Sequence, residues 1–318
     1  MTWPISTLIA CVLAFWLGYS ANQGSTCLVA AAHELHIRRR PRLFVGLLAA
    51  SAAAGLVAVP LAWSGVAGGT LAESADVSAG LLVGAVAFGI GALINNACLL
   101  GSLSRLGDGE IRLIAMPFGL AASLLLADRI MVGHSPLWPS VLMAPSKIGA
   151  TALAGFLIVV VLSLTYISRR TASRSGRHWP LGISMLALGI TGGALYAIAP
   201  VWNYVDLVQH SLPLTMTETG EIAILTVTAS IAGTVTAALH QGKWRLQRPT
   251  LADILKSFVG GALMGVGVAL IPGGNNGLIL AAIPALSPGG IAAYLLMTAT
   301  IVLGLSVRAR ISRKRITT

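Results

Sequence analysis

Charged residues are scarce in this sequence, and acidic residues are the scarcer kind. Of the 318 residues, 10% are Asp, Glu, Lys or Arg, whereas 56% are hydrophobic. A soluble domain carries about 25% charged residues. The mean hydropathy of +0.84 agrees with this shortage of charge. The composition therefore excludes an ordinary soluble protein and predicts an all-α polytopic membrane protein.

Cysteines are few, and the patterns that usually carry metal or catalytic chemistry are absent from the sequence. Cys11, Cys27 and Cys98 are an odd number without a Cys-x-x-Cys pair, so they predict neither a disulfide framework nor a zinc site. The sequence also lacks a Walker loop, a metalloprotease motif and an arguable order of Ser, His and Asp. We therefore expect no metal, no cofactor and no enzymatic activity.

Basic residues outnumber acidic residues by 21 to 10, a balance that also occurs in nucleic-acid-binding proteins. Here they lie in short clusters between apolar runs. The clusters are HIRRRPR (36–42), SRRTASRSGRH (168–178), HQGKWRLQR (240–248) and RARISRKR (308–315). Because Lys and Arg concentrate on the cytoplasmic side of membrane proteins, the clusters predict topology. Contact with anionic membrane lipid is an addition, and no nucleic acid is expected.

About nine apolar runs are long enough to cross a bilayer, which takes around 20 residues. They lie at 4–30, 43–63, 78–100, 112–128, 147–167, 181–200, 220–239, 254–272 and 289–307. We assign the chain, 1–318, to a single membrane domain with a first half at 1–167 and a second half at 181–307. The basic segment 168–178 links them. The first run has no basic segment before it and no clear cleavage site after it, so we expect a retained helix.

The basic clusters also predict the orientation of the chain. Placing all four inside orients every apolar run without conflict. The connections at 64–77 and 201–219 then lie outside, and they hold acidic residues with almost no Lys or Arg. The N-terminus is then outside and the C-terminus is cytoplasmic, as an odd number of spans requires. The first, third and eighth runs contain polar interruptions and are expected to be broken.

Two segments of the chain resemble each other. FGIGALINNACLLG begins at Phe88, and MGVGVALIPGGNNG begins at Met264. Their glycines match at identical spacings, namely Gly89, Gly91 and Gly101 with Gly265, Gly267 and Gly277. Repeats with a site at their interface are typical of transporters. We therefore predict two pseudo-symmetric halves, related by a two-fold axis that leaves the two copies parallel.

The second copy predicts a broken or re-entrant helix. Pro272 lacks an amide donor, and Gly273 and Gly274 favour irregular backbone. Such backbone occurs at membrane depth only where it is buried in protein or lines a wet cavity. Its freed N–H groups, with a helix N-terminus near Leu278, form a site for an anion. The same reasoning applies to the first copy.

The candidate substrate-pathway residues lie in these polar interruptions. They are Cys27, Asn95, Asn96, Cys98, Gly101, Gly273, Gly274, Asn275 and Gly277. Cys27 lies in a third interruption, GYSANQGSTCLVAAAHEL. A neutral thiol suits a soft sulfur atom better than a hard oxygen atom. Cys11 lies in plain apolar sequence and is expected to be structural. For Asn95 and Asn96, hydrogen bonding between helices is the alternative.

Four segments carry a family resemblance. They are GYSANQGSTC, FGIGALINNACLLG with SRLGDG after it, MGVGVALIPGGNNG with LSPGG after it, and PVWNY (200–204). On these motifs the chain resembles the YeeE/YedE family of sulfur-transport membrane proteins, over nearly its whole length. The resemblance implies nine membrane helices with re-entrant pieces, arranged as an hourglass with pseudo-symmetric halves. It also implies thiosulfate uptake across a bacterial inner membrane.

The resemblance implies roles for single residues as well. The family's pathway cysteines pass the substrate along by weak S–H···S contacts. The first falls on Cys27, the second on Cys98 and the third on Gly274, so this chain lacks the third thiol. Asn275 matches the family's Asn, and His33 stands where the family often has Arg. A small cytoplasmic sulfurtransferase of the TusA type is implied as a partner.

The sequence thus predicts a membrane permease that imports a sulfur-containing anion, with thiosulfate as the first candidate substrate. The anion would pass a central constriction lined by cysteine thiols and helix-break amides. One alternative is a transporter of another sulfur or selenium species. Another is a membrane sulfur-relay protein in which Cys98 carries a persulfide. A third is a structural subunit in which the cysteines have no function.

Overall fold

A computed structural model describes most of the chain, and almost all of it is helical. The described residues are 5–65, 70–130, 137–170, 178–200, 202, 205, 207–208, 218–271 and 274–316. The helices are α1 (Ile5–Gly24), α2 (Leu28–Arg38), α3 (Arg42–Ser64), α4 (Ala79–Asn95), α5 (Leu99–Gly107), α6 (Ala115–Ile130), α7 (Lys147–Arg170), α8 (Leu181–Ile198), α9 (Glu218–His240), α10 (Leu251–Leu270), α11 (Gly274–Gly277) and α12 (Pro288–Ile316). In the same ranges the only sheet is an antiparallel ribbon of β1 (Ser74–Ala75) and β2 (Leu137–Trp138).

The prediction of an all-α polytopic membrane protein is confirmed. Within the described ranges, eight segments are long and apolar enough to span a membrane. A shorter apolar helix, Ile111–Leu126, corresponds to the fourth predicted run. The helix α7 exposes Leu157, Ile158, Val161 and Leu162 along its length. Such a surface is stable against lipid tails and unfavourable against water.

Three spans are broken, and they are the first, third and eighth predicted runs. The break between α1 and α2 contains Ser25, and that between α4 and α5 contains Asn96. The break after α10 precedes Gly274, the first residue of α11; Pro272 and Gly273 lie outside the described residues. Ser25, Asn96 and Gly274 have positive φ angles of 50°, 60° and 57°. At Ser25 and Asn96 the left-handed conformation ends the preceding helix because it turns the backbone out of the helical path.

The two similar segments run in opposite directions, so the expected parallel two-fold relation is wrong. The helix α4 packs antiparallel to α10. A Cβ atom on Gly84 would lie 3.1 Å from the carbonyl oxygen of Gly267, and one on Gly91 would lie 2.7 Å from that of Gly260. The paired residue numbers therefore rise on one helix as they fall on the other. The reason is the number of predicted spans between them. Four spans lie between the third predicted run and the eighth, and an even number of intervening spans leaves the two runs in opposite directions.

Helices of the two predicted halves interleave. The helix α1 packs on α9, α3 on α8, α6 on α10 and α4 on α12. In each pair, one member belongs to 1–167 and the other to 181–307. One hydrophobic core holds buried residues from both halves. Of the predicted linker, 168–170 belong to α7 and 171–177 lie outside the described residues.

Candidate functional site

Two of the helix breaks meet at a pair of thiols. Cys27 is the N-cap residue of α2, and Cys98 is the N-cap residue of α5. Their Sγ atoms lie 3.6 Å apart, within hydrogen-bonding distance for two sulfur atoms. Cys98 is completely buried, and the exposed fraction of Cys27 is 8%. The fold thus joins two cysteines that are 71 positions apart in the sequence.

The thiols lie at the N-termini of two helices. Neither cysteine side chain caps its own helix. The N–H group of Leu28, in the first turn of α2, donates a hydrogen bond to the Sγ atom of Cys98 over 3.4 Å. First-turn N–H groups lack partners inside their helix, and the helix dipole places partial positive charge there. The two N-termini therefore make the surroundings of the thiols favourable for an anion.

Gly101 makes room for this arrangement. A Cβ atom on Gly101 would lie 2.6 Å from the Cβ atom of Cys27. Contacts that short do not occur between real side chains, so a larger residue would push α5 and Cys27 apart. The glycine in the first turn of α5 therefore permits the approach of the two breaks.

Asn95 acts within the protein and holds the second break in place. Its Nδ2 atom donates to the carbonyl oxygen of Ala97 over 3.0 Å and to the Oγ atom of Ser102 over 2.9 Å. The guanidinium of Arg112 donates to the backbone carbonyl of Asn95 over 3.0 Å and to the Ser257 Oγ atom over 2.9 Å. This is the internal hydrogen bonding that the sequence left open as the alternative for Asn95.

Asn96 and the third break complete the set of predicted residues. Asn96 is exposed, and its carbonyl oxygen accepts a hydrogen bond from Arg105 over 2.8 Å. A Cβ atom on Gly274 would lie 3.3 Å from the Cδ1 atom of Leu99, so the third break lies beside the residue that follows Cys98. Gly277 is buried. Gly273 lies outside the described residues.

The asparagines of the third break are buried, and some of their side-chain polar atoms have no hydrogen-bond partner among the described residues. Asn275 is 1% exposed and Asn276 is 2% exposed. Within the described part of the chain, neither polar atom of the Asn275 side chain has a partner, and the Oδ1 atom of Asn276 also has none. Leaving a buried polar group unpaired costs about 1–3 kcal/mol. Such groups in a folded protein indicate a place that a polar ligand or water occupies.

A large cavity leads from Cys27 to the basic end of the molecule, where the clusters 36–42 and 240–248 lie. Its volume is about 1030 Å³. The residues that line it include Gln23, Cys27, His33, Glu34, Arg38, Arg42, Asn96, Arg105, His178, Trp179, Gln241 and Lys243. We call this cavity the basic vestibule. Cys98 is not among its lining residues, so Cys27 is the thiol that meets the cavity.

The charge of the basic vestibule is positive. Four Lys and Arg side chains line it, against Glu34 as the acidic side chain among the described lining residues. Glu34 is already engaged, since it pairs with Arg42 at 3.3 Å and accepts the N–H group of Leu43 at 3.0 Å. Arg105 pairs with Glu110 at 2.7 Å and Lys243 with Asp108 at 3.3 Å, so these acidic partners offset part of the positive charge. Unequal charge in a cleft raises the local concentration of small anions.

A network of amides positions the first break, and the roles of these residues were not predicted from the sequence. Asn22 donates to the carboxylate of Asp108 over 2.8 Å and accepts a hydrogen bond from Gln241 over 2.9 Å. Gln23 accepts the N–H group of Trp179 over 3.1 Å. The available signal was the amide pair in SANQG within an apolar run. An amide bonds equally well to a substrate or to the protein, so sequence alone did not separate the two roles.

The site differs from a metal centre. In the part of the chain that the structure describes, no three His, Cys, Asp or Glu side chains are grouped closely enough to hold a metal ion. What the site offers instead is two thiols, two helix N-termini and a positively charged approach. These groups suit a small anion with a soft atom.

Spanning helices that break around a buried polar centre are typical of membrane transport proteins. The architecture therefore defines a multi-pass membrane protein of the transport class. The chain belongs to the sulphur transport family, the YeeE/YedE family, whose profile matches residues 23–303. The match covers all three breaks and confirms the resemblance that the motifs carried. The chain matches no curated protein. The protein is thus a membrane protein of a sulfur-transport family.

Proposed function

We propose that the protein is a permease that imports thiosulfate through the constriction formed by Cys27 and Cys98. The observation that carries this proposal is the approach of the two Sγ atoms to 3.6 Å at the junction of two helix breaks. The basic vestibule begins at this point and leads to one end of the molecule. A constriction with a polar opening is the arrangement that a selective pore requires.

The direction of transport follows from the distribution of charge. We propose that the vestibule faces the cytoplasmic side of a bacterial inner membrane, with the N-terminus outside, because Lys and Arg concentrate on that side of membrane proteins. The described residues of the third break are not among those that line the vestibule, so we assign this break to the route from outside. An entering anion meets the unpaired amide of Asn275, then the thiols, and then the cations of the vestibule. Each stage replaces part of the hydration that the anion loses.

Thiosulfate fits the chemistry of the constriction. It has a terminal sulfur atom that is soft and carries negative charge, and it also has hard oxygen atoms. The S–H groups are weak, polarisable donors that suit the sulfur end. Backbone N–H groups at the N-termini of α2 and α5 suit the oxygen atoms. In this role the cysteines act as neutral thiols, because thiolates would repel the anion.

Gly274 stands where the family has its third pathway cysteine, so the relay here has two thiols. We propose that Asn275 contributes the missing contact. Its side chain is buried with a free donor and a free acceptor among the described residues. A contact with the Asn275 amide is less selective for sulfur than a contact with a thiol. Another sulfur anion, or a selenium analogue of thiosulfate, is therefore the second candidate substrate.

The basic end of the molecule suits a carrier protein that collects the product. We propose that a small sulfurtransferase of the TusA type docks there and takes sulfur at the mouth of the vestibule. Arg38 and Lys243 are among the basic residues that line the vestibule. A partner with an acidic surface would associate faster with such a charge distribution, and the rate would fall as salt is added.

The burial of Cys98 opposes the relay alternative. A persulfide relay needs a cysteine that a sulfur donor and an acceptor both reach. Cys98 has 0% exposure and lies behind Cys27 as seen from the vestibule. A sulfur acceptor that enters the vestibule would therefore meet Cys27 first. A permease uses both thiols without this requirement.

The test is uptake of radiolabelled thiosulfate by cells that lack their own sulfate and thiosulfate importers. The variants are Cys98→Ala and, as the matched control, Cys11→Ala, at equal amounts in the membrane. We expect uptake by wild type and by Cys11→Ala and little uptake by Cys98→Ala. Equal uptake by all three would exclude the thiol constriction. No uptake by folded wild type would exclude thiosulfate, and labelled selenium analogues would then be assayed.

A further inference from the structure

We propose that Cys27 and Cys98 form a redox modification site that takes sulfur anions with an internal S–S bond, such as tetrathionate. The anion oxidises the pair to an intramolecular disulfide, and the disulfide closes the constriction. The proposal deepens the proposed function, because the same two residues line the pathway. Its chemistry, however, is measured on the protein alone and needs no transport.

The positions of the two thiols permit a disulfide. The Sγ atoms are 3.6 Å apart, so an S–S bond of about 2.05 Å requires them to approach by roughly 1.5 Å. Both cysteines lie at N-cap positions in extended backbone, outside the regular turns of α2 and α5. Neither side chain is held by a capping hydrogen bond. Rotation of the side chains and a small shift at the breaks are therefore sufficient.

Only one of the two thiols is open to a reagent that enters from the basic end. Cys27 lines the basic vestibule, whereas Cys98 is completely buried behind it. The cations of the vestibule attract a dianion to Cys27. The N-terminus of α2 stabilises negative charge on the sulfur atom, and the thiolate is the form that attacks an S–S bond. The reaction therefore begins at Cys27 and ends at Cys98.

The reaction balances with tetrathionate as the oxidant. The Cys27 thiol loses its proton, and its sulfur attacks one of the two central sulfur atoms of tetrathionate. The central S–S bond breaks, one thiosulfate leaves, and Cys27 carries an S–SSO₃⁻ group. The Cys98 thiol then loses its proton and attacks the Cys27 sulfur atom, and a second thiosulfate leaves. Two thiols are oxidised to a disulfide, and one tetrathionate is reduced to two thiosulfates with release of two protons.

Closure of the constriction follows from the product. A disulfide removes both S–H donors and ties the start of α2 to the start of α5. The pathway thus loses its polar contacts and its freedom to widen. Cys11 does not compete in this reaction, because it lies on α1 away from the breaks and has no second thiol beside it. A dithiol reductant restores the thiols and the pathway.

The experiment uses the full chain in lipid nanodiscs, with Cys11→Ser as the background so that two thiols remain. The protein is treated with tetrathionate without oxygen. Free thiols are titrated after denaturation, released thiosulfate is quantified and the intact mass is measured. We expect loss of both thiols, two thiosulfates released per protein and a mass lower by two hydrogens, without an adduct. Dithiothreitol should reverse all three changes.

Single variants in this background separate the two steps. With Cys98→Ser, we expect one thiosulfate per protein and a stable adduct on Cys27. With Cys27→Ser, we expect Cys98 to stay unmodified, because it is buried. The proposal is overturned if both thiols of the parent protein survive treatment, if each keeps its own adduct, or if the disulfide joins two protein molecules.

Uptake measurements distinguish this proposal from the proposed function. If cells import thiosulfate but the purified pair is not oxidised, the redox site is wrong and the permease stands. If the pair closes with the expected stoichiometry but thiosulfate is not imported, the redox site stands and the substrate is wrong. If both hold, uptake by vesicles should fall at least tenfold after tetrathionate and recover after dithiothreitol.

Discussion

Gly101 lies directly against Cys27, although α5 and the first helix break are far apart in the sequence. A Cβ atom on Gly101 would lie 2.6 Å from the Cβ atom of Cys27 and would overlap its sulfur atom. The absence of a side chain at position 101 is therefore what lets the two thiols meet.

The substitution Gly101→Ala should abolish uptake while the protein still inserts and folds. The added methyl group must push Cys27 away from α5, and overpacking of this kind costs about 1–3 kcal/mol. Labelled uptake at equal membrane amounts measures the effect. The matched control is Gly155→Ala on α7, where a Cβ atom would meet nothing within 4 Å. If both variants transport equally well, the close contact has no part in function.

The substitution Cys98→Ser tests the need for soft sulfur atoms. Serine keeps a hydrogen-bond donor, but its oxygen atom is hard and prefers oxygen ligands to sulfur ligands. We expect thiosulfate uptake to fall about tenfold, equivalent to about 1.4 kcal/mol. Inhibition of uptake by sulfate should become relatively stronger. Competition assays measure both effects, with Cys11→Ser as the control. An unchanged preference for thiosulfate over sulfate would show that the thiols do not select the substrate.

Replacement of the two asparagines by leucine should give opposite patterns. Asn95→Leu loses hydrogen bonds to Ala97 and Ser102, so unfolding should become easier by about 1–3 kcal/mol. Asn275→Leu removes polar atoms that have no partner among the described residues, so stability should hold or rise while uptake falls. Thermal unfolding in detergent and labelled uptake give the two readouts. A loss of stability in Asn275→Leu without a loss of uptake would contradict its role in the pathway.

Gly274 is the position where a third thiol can be tested. Its φ angle is +57°, and a left-handed backbone costs a residue with a Cβ atom about 1–2 kcal/mol. Gly274→Ala and Gly274→Cys should therefore lose similar stability. The neighbouring atoms of Val268 and Leu99 would lie 3.1 and 3.3 Å from the new Cβ, so they have to move only slightly.

The comparison of those two variants isolates the sulfur atom. If a third thiol strengthens the pathway, Gly274→Cys should take up more thiosulfate than Gly274→Ala at the same stability. Uptake at several substrate concentrations gives the affinity and the rate separately. Equal uptake by the two variants would mean that a thiol at this position contributes nothing in this protein.

The helix breaks were predictable because their causes are local. Gly24, Asn96 and Gly274 stand in segments with polar residues inside apolar runs, and such residues weaken or end a helix wherever they occur. The function of Asn95 was not predictable in the same way. A buried amide bonds to whatever lies beside it, and the partners Ser102 and Arg112 come from other elements.

The direction of the two similar segments shows a related limit. Glycine spacing is the same for a helix that runs outward and one that runs inward, so spacing says nothing about direction. The contacts of Gly84 with Gly267 and of Gly91 with Gly260 together show that the two helices are antiparallel. A count of the spans between them leads to the same result, because each span reverses the chain.

Composition and pattern by themselves determined that this protein is a helical membrane protein with three interrupted spans, and motifs determined its family. Hydropathy and helix termination depend on residues near one another in the chain, so both can be predicted from the sequence. Only the tertiary structure decided that the breaks at Cys27 and Cys98 meet, that a basic vestibule begins there and that Cys98 lies behind Cys27. These relations depend on how distant helices pack. Glycines such as Gly101 permit this close packing, but their presence in the sequence does not identify the residue that they contact.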